Sequence, residues 1–131
     1  MNAPEYKVRL ALSAAISPSE DPEKVATALT NVFGEGKADL SMHSRAELVT
    51  EDPKVLVRIR NQLRDRHIRT AARRQMLLNA REGSTSLMLN RQAAAAGVIA
   101  LCGSPEESPL GPVYFRIESQ ELDTIVDWLT A

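Results

Sequence analysis

Tyr6-Lys7-Val8-Arg9-Leu10-Ala11-Leu12-Ser13-Ala14-Ala15-Ile16 is the stretch on which the fold turns. Tyr6, Val8, Leu10, Leu12, Ala14 and Ile16 are apolar at every even position, with Lys7, Arg9 and Ser13 between them. A period of two over that length predicts a β-strand with one face on a core. Ser17-Pro18-Ser19-Glu20 ends it, and Asp21-Pro22-Glu23 reads as a helix start. Asp21 can accept from free amides, and Pro22 suits the first helical position because its missing donor is not needed there. Val25, Ala28, Leu29 and Val32 follow at helical spacing, and Gly34-Glu35-Gly36-Lys37 closes the helix in a turn. That turn lacks the spacing and the terminal Lys-Ser/Thr of a phosphate-binding P-loop.

Farther along, Ala38, Leu40 and Met42 alternate with polar residues and Leu48-Val49 resumes an extended pattern, which predicts one or two short strands over 38–50. Asp52-Pro53-Lys54 repeats the Asp-Pro helix start, and Val55, Leu56, Ile59 and Leu63 form one stripe. Ile68, Ala71, Ala72 and Leu78 point about a third of a turn away from that stripe at 100° per residue, so two helices with a break near Asp65–His67 are expected. Gly83 is the expected cap of the second. Strands are expected over 84–90, 98–102 and 113–118, with a single helical turn at Ala93–Ala96. Ser119 is expected to cap a last helix carrying Glu121 and Asp123 in its first turn and Leu122, Ile125, Val126 and Leu129 as its stripe. The order predicts one α+β domain over residues 1–131. It has two layers, a mixed and mostly antiparallel sheet covered by helices.

The apolar share of 44% and charged share of 25% are those of an ordinary globular chain, and 131 residues suffice for one core. No run of about 18 apolar residues is present to span a membrane. The first residues lack a basic region followed by an apolar block, so no secretory signal is expected. The single cysteine, Cys102, follows Val98-Ile99-Ala100-Leu101 and is expected to be a small buried side chain in a reducing cytoplasm.

Charge is unevenly spread. Arg58, Arg60, Arg64, Arg66, Arg69, Arg73, Arg74, Arg81 and Arg91 share their segment with only Asp65 and Glu82, for a net charge of +7. The rest of the chain carries −8. Every basic residue in this belt is arginine, whose flat forked guanidinium suits bidentate contact with phosphate. On a helix Arg66, Arg69 and Arg73 share a face, and Arg74 and Arg81 lie two turns apart on an adjacent one. Stacked like charges lower stability unless an anion relieves them. A clustered basic stripe is the footprint of nucleic-acid binding. The structural use of the same residues is pairing with acids elsewhere, such as Glu47, Glu51 or the last helix.

The belt contains no aromatic residue, none lying between Phe33 and Tyr114. A stacking platform within it is therefore not expected, and contact with phosphates and shape is. Asn90, Arg91 and Gln92, beside the belt, are expected to add polar contacts or to form a turn. Of the two histidines, His43 and His67, the second lies among arginines, which disfavour its protonation and would suit a general base. No nucleophile elbow, carboxylate pair, metal-ligand cluster or dinucleotide fingerprint is present. No catalytic residue, metal or cofactor is expected.

Four segments carry a resemblance. Asp21-Pro22-Glu23-Lys24-Val25, Ile68-Arg69-Thr70-Ala71-Ala72-Arg73, Leu89-Asn90-Arg91-Gln92-Ala93-Ala94 and Ser108-Pro109-Leu110-Gly111-Pro112-Val113 together resemble the archaeal uncharacterised protein family 201, which is grouped with RNA-binding proteins. The resemblance covers nearly the whole chain. It implies a fold like that of the ribosomal protein that binds 5S ribosomal RNA, an archaeal cytoplasmic homodimer, and no established catalytic residue. The chain departs from the family pattern at Thr70, where an Asp is usual, and at Arg91, where a Lys is usual. The first departure removes an acid beside Arg73.

The expected function is non-catalytic binding of structured RNA, ribosomal RNA included, through Arg66, Arg69, Arg73, Arg74, Arg91, Asn90 and Gln92. The alternatives are a homodimer whose arginines face acids across the interface, and a small-molecule enzyme for a phosphorylated ligand with His67 as base.

Overall fold

In a computed structural model, described here for residues 7–42 and 44–131, four strands form one sheet in the order β2-β1-β4-β3. They are β1 (Arg9–Ala15), β2 (Arg45–Thr50), β3 (Ser84–Leu89) and β4 (Val113–Glu118). All three pairings are antiparallel, so the sheet is not mixed. Tyr6 and His43 lie outside the described residues. The helices are α1 (Pro22–Phe33), α2 (Pro53–Asp65), α3 (Arg69–Asn79), α4 (Arg91–Ala95) and α5 (Leu122–Leu129).

The period-two pattern of residues 8–14 does what it predicts. Val8, Leu10, Leu12 and Ala14 are buried, as are Ala46 and Leu48 on β2, Val113, Phe115 and Ile117 on β4, and Leu87 and Leu89 on β3. The helices cover this face, and Phe33 of α1 meets Phe115 edge to face with ring centroids 5.9 Å apart. The opposite face of the sheet has no covering layer among the described residues. It presents Arg9, Ala11, Ser13, Arg45, Glu47, Val49, Tyr114, Arg116 and Met88.

Both Asp-Pro signals work as local chemistry requires. Asp21 accepts from the Glu23 amide at 3.0 Å and Asp52 from the Lys54 amide at 2.9 Å. Each satisfies a donor that the first helical turn leaves free, an effect of about 1 kcal/mol. Gly34 closes α1 at φ +80°, where a side chain would strain the backbone, and its amide donates to the Thr30 carbonyl at 2.7 Å. The break between α2 and α3 falls at Arg66–Ile68, with His67 in the left-handed region at φ +56°.

Residues 38–50 form one strand and a lone bridge, Asp39 to Glu47, within the one or two short strands expected. Elsewhere the structure departs from expectation. Residues 98–102 are not a strand: Leu101 makes a single bridge to Leu89. Two glutamines take over the hydrogen bonding that a neighbouring strand would supply. Gln62 donates to the Gly97 carbonyl at 2.7 Å and accepts from the Ile99 amide at 2.9 Å. Gln75 donates to the Cys102 carbonyl at 2.7 Å and accepts from the Met88 amide at 3.0 Å. Gly83 does not cap α3, which ends at Asn79; it lies at φ +83° in the tight turn where Arg81 and Ser84 exchange backbone hydrogen bonds. Ser119 is not the residue before α5 either. Its hydroxyl accepts from the Glu121 amide at 3.1 Å and donates to the Lys7 carbonyl at 2.8 Å, tying the start of β1 to the approach to α5.

Candidate nucleic-acid interface

The arginine belt does not stay together. Six of its nine members have partners inside the chain. Arg58 donates to the Val32 and Asn31 carbonyls at 3.1 and 3.0 Å, satisfying oxygens that the end of α1 leaves open. Arg60, 7% exposed, donates to the Trp128 carbonyl at 2.9 Å, and its guanidinium carbon stands 5.3 Å from the centre of the indole. Arg64 pairs with its neighbour Asp65 at 3.3 Å, both exposed. Arg69 donates to the Ala131 carbonyl at 2.9 Å. Arg73 pairs with Asp127 of α5 at 2.6 Å.

Arg91, expected either to add polar contacts beside the belt or to form a turn, has a side chain 9% exposed that closes a clasp. Its Nη1 meets both carboxylate oxygens of Glu20 at 3.1 and 2.9 Å, its Nε donates to the Gly111 carbonyl at 3.0 Å, and its Nη2 to the Ala15 carbonyl at 2.7 Å. One guanidinium thus joins the end of β1, the turn after it and the loop before β4. Each of its three nitrogens donates inside the chain, so most of its hydrogen-bonding capacity is committed there. Asn90 is occupied too: it caps α4 by accepting from the Ala93 amide at 2.9 Å. Gln92 is exposed on α4.

What remains is a smaller set. Arg66 at the end of α2, Arg74 on α3 and Arg81 just after α3 are exposed and make no side-chain hydrogen bond or ion pair among the described residues. Arg69 and Arg73 border them half-buried. Leu77 and Leu78, 54% and 73% exposed, lie three and four positions after Arg74 on the same outer surface of α3. That surface is therefore cationic at intervals and apolar between.

His67 is exposed at the α2–α3 break. An open cleft of about 1040 Å³ lies elsewhere, at one end of the sheet, lined by Lys7, Arg9, Glu51, Glu82, Glu118 and Glu121 among others. No group of three or more His, Cys, Asp or Glu side chains suited to a metal ion is found among the described residues. Cys102 is buried, and burial together with the Glu107 carboxylate pushes its thiol pKa up, which makes it a poor nucleophile. No helix among the described residues is long and apolar enough to cross a membrane.

Fold and surface define a class: a two-layer α+β domain, an antiparallel sheet backed on one face by helices, with an uncommitted cationic ridge on α3. A family model described as RNA binding matches residues 9–119. The chain belongs to that family, whose similar curated relatives are archaeal UPF0201 proteins. A UPF0201 protein of Saccharolobus solfataricus is 33% identical over 125 residues, covering 93% of this chain and 86% of the relative. One from Sulfolobus acidocaldarius is 32% identical with the same coverage. Among solved structures, the UPF0201 protein from Methanococcus jannaschii superposes with a TM-score of 0.79 at 22% identity, covering 94% of this chain and 99% of that one. A DUF54 protein from Methanothermobacter thermautotrophicus gives 0.62 at 18% identity, with 92% and 93% covered. At these identities the likeness is one of fold.

Proposed function

We propose that the protein is a non-catalytic RNA-binding domain, and that Arg66, Arg74 and Arg81 hold the RNA backbone, with Arg69 and Arg73 beside them. The match of an RNA-binding family model to residues 9–119 carries the partner class. The location rests on the division within the belt: a guanidinium with no internal partner is free to meet a phosphate, and one already engaged is not. Arg91 leaves the candidate set because its three nitrogens donate inside the chain, and Asn90 is set aside because its side-chain oxygen is committed to capping α4. Structured RNA fits better than a single strand here, since no aromatic side chain lies on this ridge.

The test is fluorescence anisotropy with a blunt RNA duplex at several salt concentrations. Affinity falls steeply as salt rises, because each neutralised phosphate releases counterions. Arg74→Glu with Arg81→Glu weakens binding; binding that is indifferent both to salt and to this pair sinks the reading.

One observation favours a second use of the ridge. Leu77 and Leu78 are apolar area that phosphate cannot cover. A contact between two copies there would bury them, and Leu78→Asp would then lower the mass seen by sedimentation. The first motive for a dimer, acids facing the arginines, is weaker because α5 already supplies Asp127.

A further inference from the structure

The uncovered face of the sheet carries chemistry that the belt lacks. Tyr114 stands there 39% exposed, in the middle of the inner strand β4. The register sets Ser13 of β1 directly on one side of it and Met88 of β3 on the other. Small side chains line β1 beside it, with Ala11 next to Arg116 and Ser13 next to Tyr114, so the tyrosine rises from a shallow floor. Arg45 reaches in from β2, its Nη2 donating to the Ser13 hydroxyl at 3.4 Å. Arg116 lies two residues along β4 on the same face, about 7 Å away by strand geometry. Tyr114 therefore shares this open face with two arginines, Arg45 and Arg116.

Those guanidiniums have acidic neighbours, Arg45 with Glu47 at 3.6 Å and Arg116 with Glu118 at 2.9 Å. All four side chains are more than a third exposed, so these are solvated pairs that a phosphate can displace at little cost. Arg9 adds a third cation, paired with Glu118 at 3.7 Å.

This face is also continuous with the ridge. Ser84, at the start of edge strand β3, donates its hydroxyl to the Arg81 carbonyl at 3.0 Å and accepts from Arg116 Nη2 at 3.4 Å. The Arg81 backbone and the Arg116 side chain thus meet at one serine on edge strand β3, next to both surfaces.

We infer that Tyr114 stacks an unpaired nucleotide of the RNA, with Arg45 and Arg116 on the flanking phosphates, so that the preferred ligand is a junction of duplex and single strand. This rests on the RNA-binding reading above and names its ligand more narrowly. Stacking tolerates any base because every base offers a π face, and the two arginines supply the charge that a backbone needs. A second copy fits the face less well. The core of a protein interface is depleted in charge, and here Arg9, Arg45, Glu47, Arg116 and Glu118 are spread across it with only Val49, Met88 and Tyr114 as larger apolar groups.

Anisotropy would compare a blunt RNA duplex with the same duplex carrying a short unpaired pyrimidine tail. The wild-type chain is expected to bind the tailed RNA roughly tenfold more tightly, the scale of stacking one base. Tyr114→Ala should abolish that gain and leave blunt-duplex affinity unchanged, while Tyr114→Phe should keep most of it. Blunt-duplex binding with no gain from the tail, or a gain that survives Tyr114→Ala, overturns the stacking site and leaves the ridge standing. No binding of either RNA overturns both. A sedimentation mass that drops on Tyr114→Ala also overturns it, because the face is then an interface between copies.

Discussion

Arg60 and Arg74 belong to the same arginine-rich segment and have opposite surroundings. Arg60 is buried on α2, bonded to the Trp128 carbonyl and laid against its indole. Arg74, on α3, stands in solvent with no partner among the described residues. The inner side of α2 and α3 faces α5, so its arginines fasten one helix to another. The outer side has no covering element among the described residues, so its arginines keep their charge available. A count of nine arginines treats these as one feature, and the fold makes them two. Position around each helix sorts them, since engaged arginines lie on both α2 and α3.

The comparison breaks most sharply at Arg91. Replacing it with alanine leaves the largely buried Glu20 carboxylate without its counter-charge, with only the Ser17 amide donating to it, and frees the Ala15 and Gly111 carbonyls. Loss of one partner of a buried pair costs about 3–5 kcal/mol. Urea unfolding should show that loss, while Arg91→Lys, which keeps the charge but not the fork, should fall between the two. If Arg91→Ala is as stable as the wild type, the inner group is not structural. Arg60→Ala comes next. It removes a charged hydrogen bond and a cation–π contact, about 1.5–3 kcal/mol by thermal or urea unfolding. Arg73→Ala removes an exposed pair with Asp127 and a long hydrogen bond to the Thr130 hydroxyl, and a loss within about 1 kcal/mol is expected. Arg66→Gln, Arg74→Gln and Arg81→Gln should each change stability by no more than about 0.5 kcal/mol. A larger loss would mean that the outer arginines have structural partners after all.

Much of the fold was legible in short-range patterns. The alternation at residues 8–14 and 113–117, the two Asp-Pro starts and the break after Asp65 are local signals, and the structure follows them. The stripe expected on the second helix is only partly right: Ala72 is buried, but Leu78 and Ala71 are exposed and Met76 takes the core position. The misreadings share a cause. Residues 98–102 look like a strand because they are apolar and extended, but pairing is a property of neighbours, and Gln62 and Gln75 occupy those positions. Gly83 and Ser119 have the residue types of caps and serve instead in a turn and a strap, because helix ends are set by packing as much as by sequence.

The candidate site was legible only as a charge excess. Which arginines are spent internally depends on contacts such as Arg60 with Trp128 and Arg91 with Glu20, whose partners lie far along the chain. The sheet face was legible in principle. Tyr114 and Arg116 occupy the non-core positions of a strand read correctly as alternating, and an open second face would have placed them together.

The division of the belt is tested most directly by the salt dependence of duplex RNA binding in two variants. One carries Gln at Arg66, Arg74 and Arg81, the other Gln at Arg64 and Arg73. If the outer group alone meets phosphate, the slope of log affinity against log salt should shrink by roughly two to three units in the first and by less than about one in the second. Equal slopes in the wild type and the first variant would contradict the account.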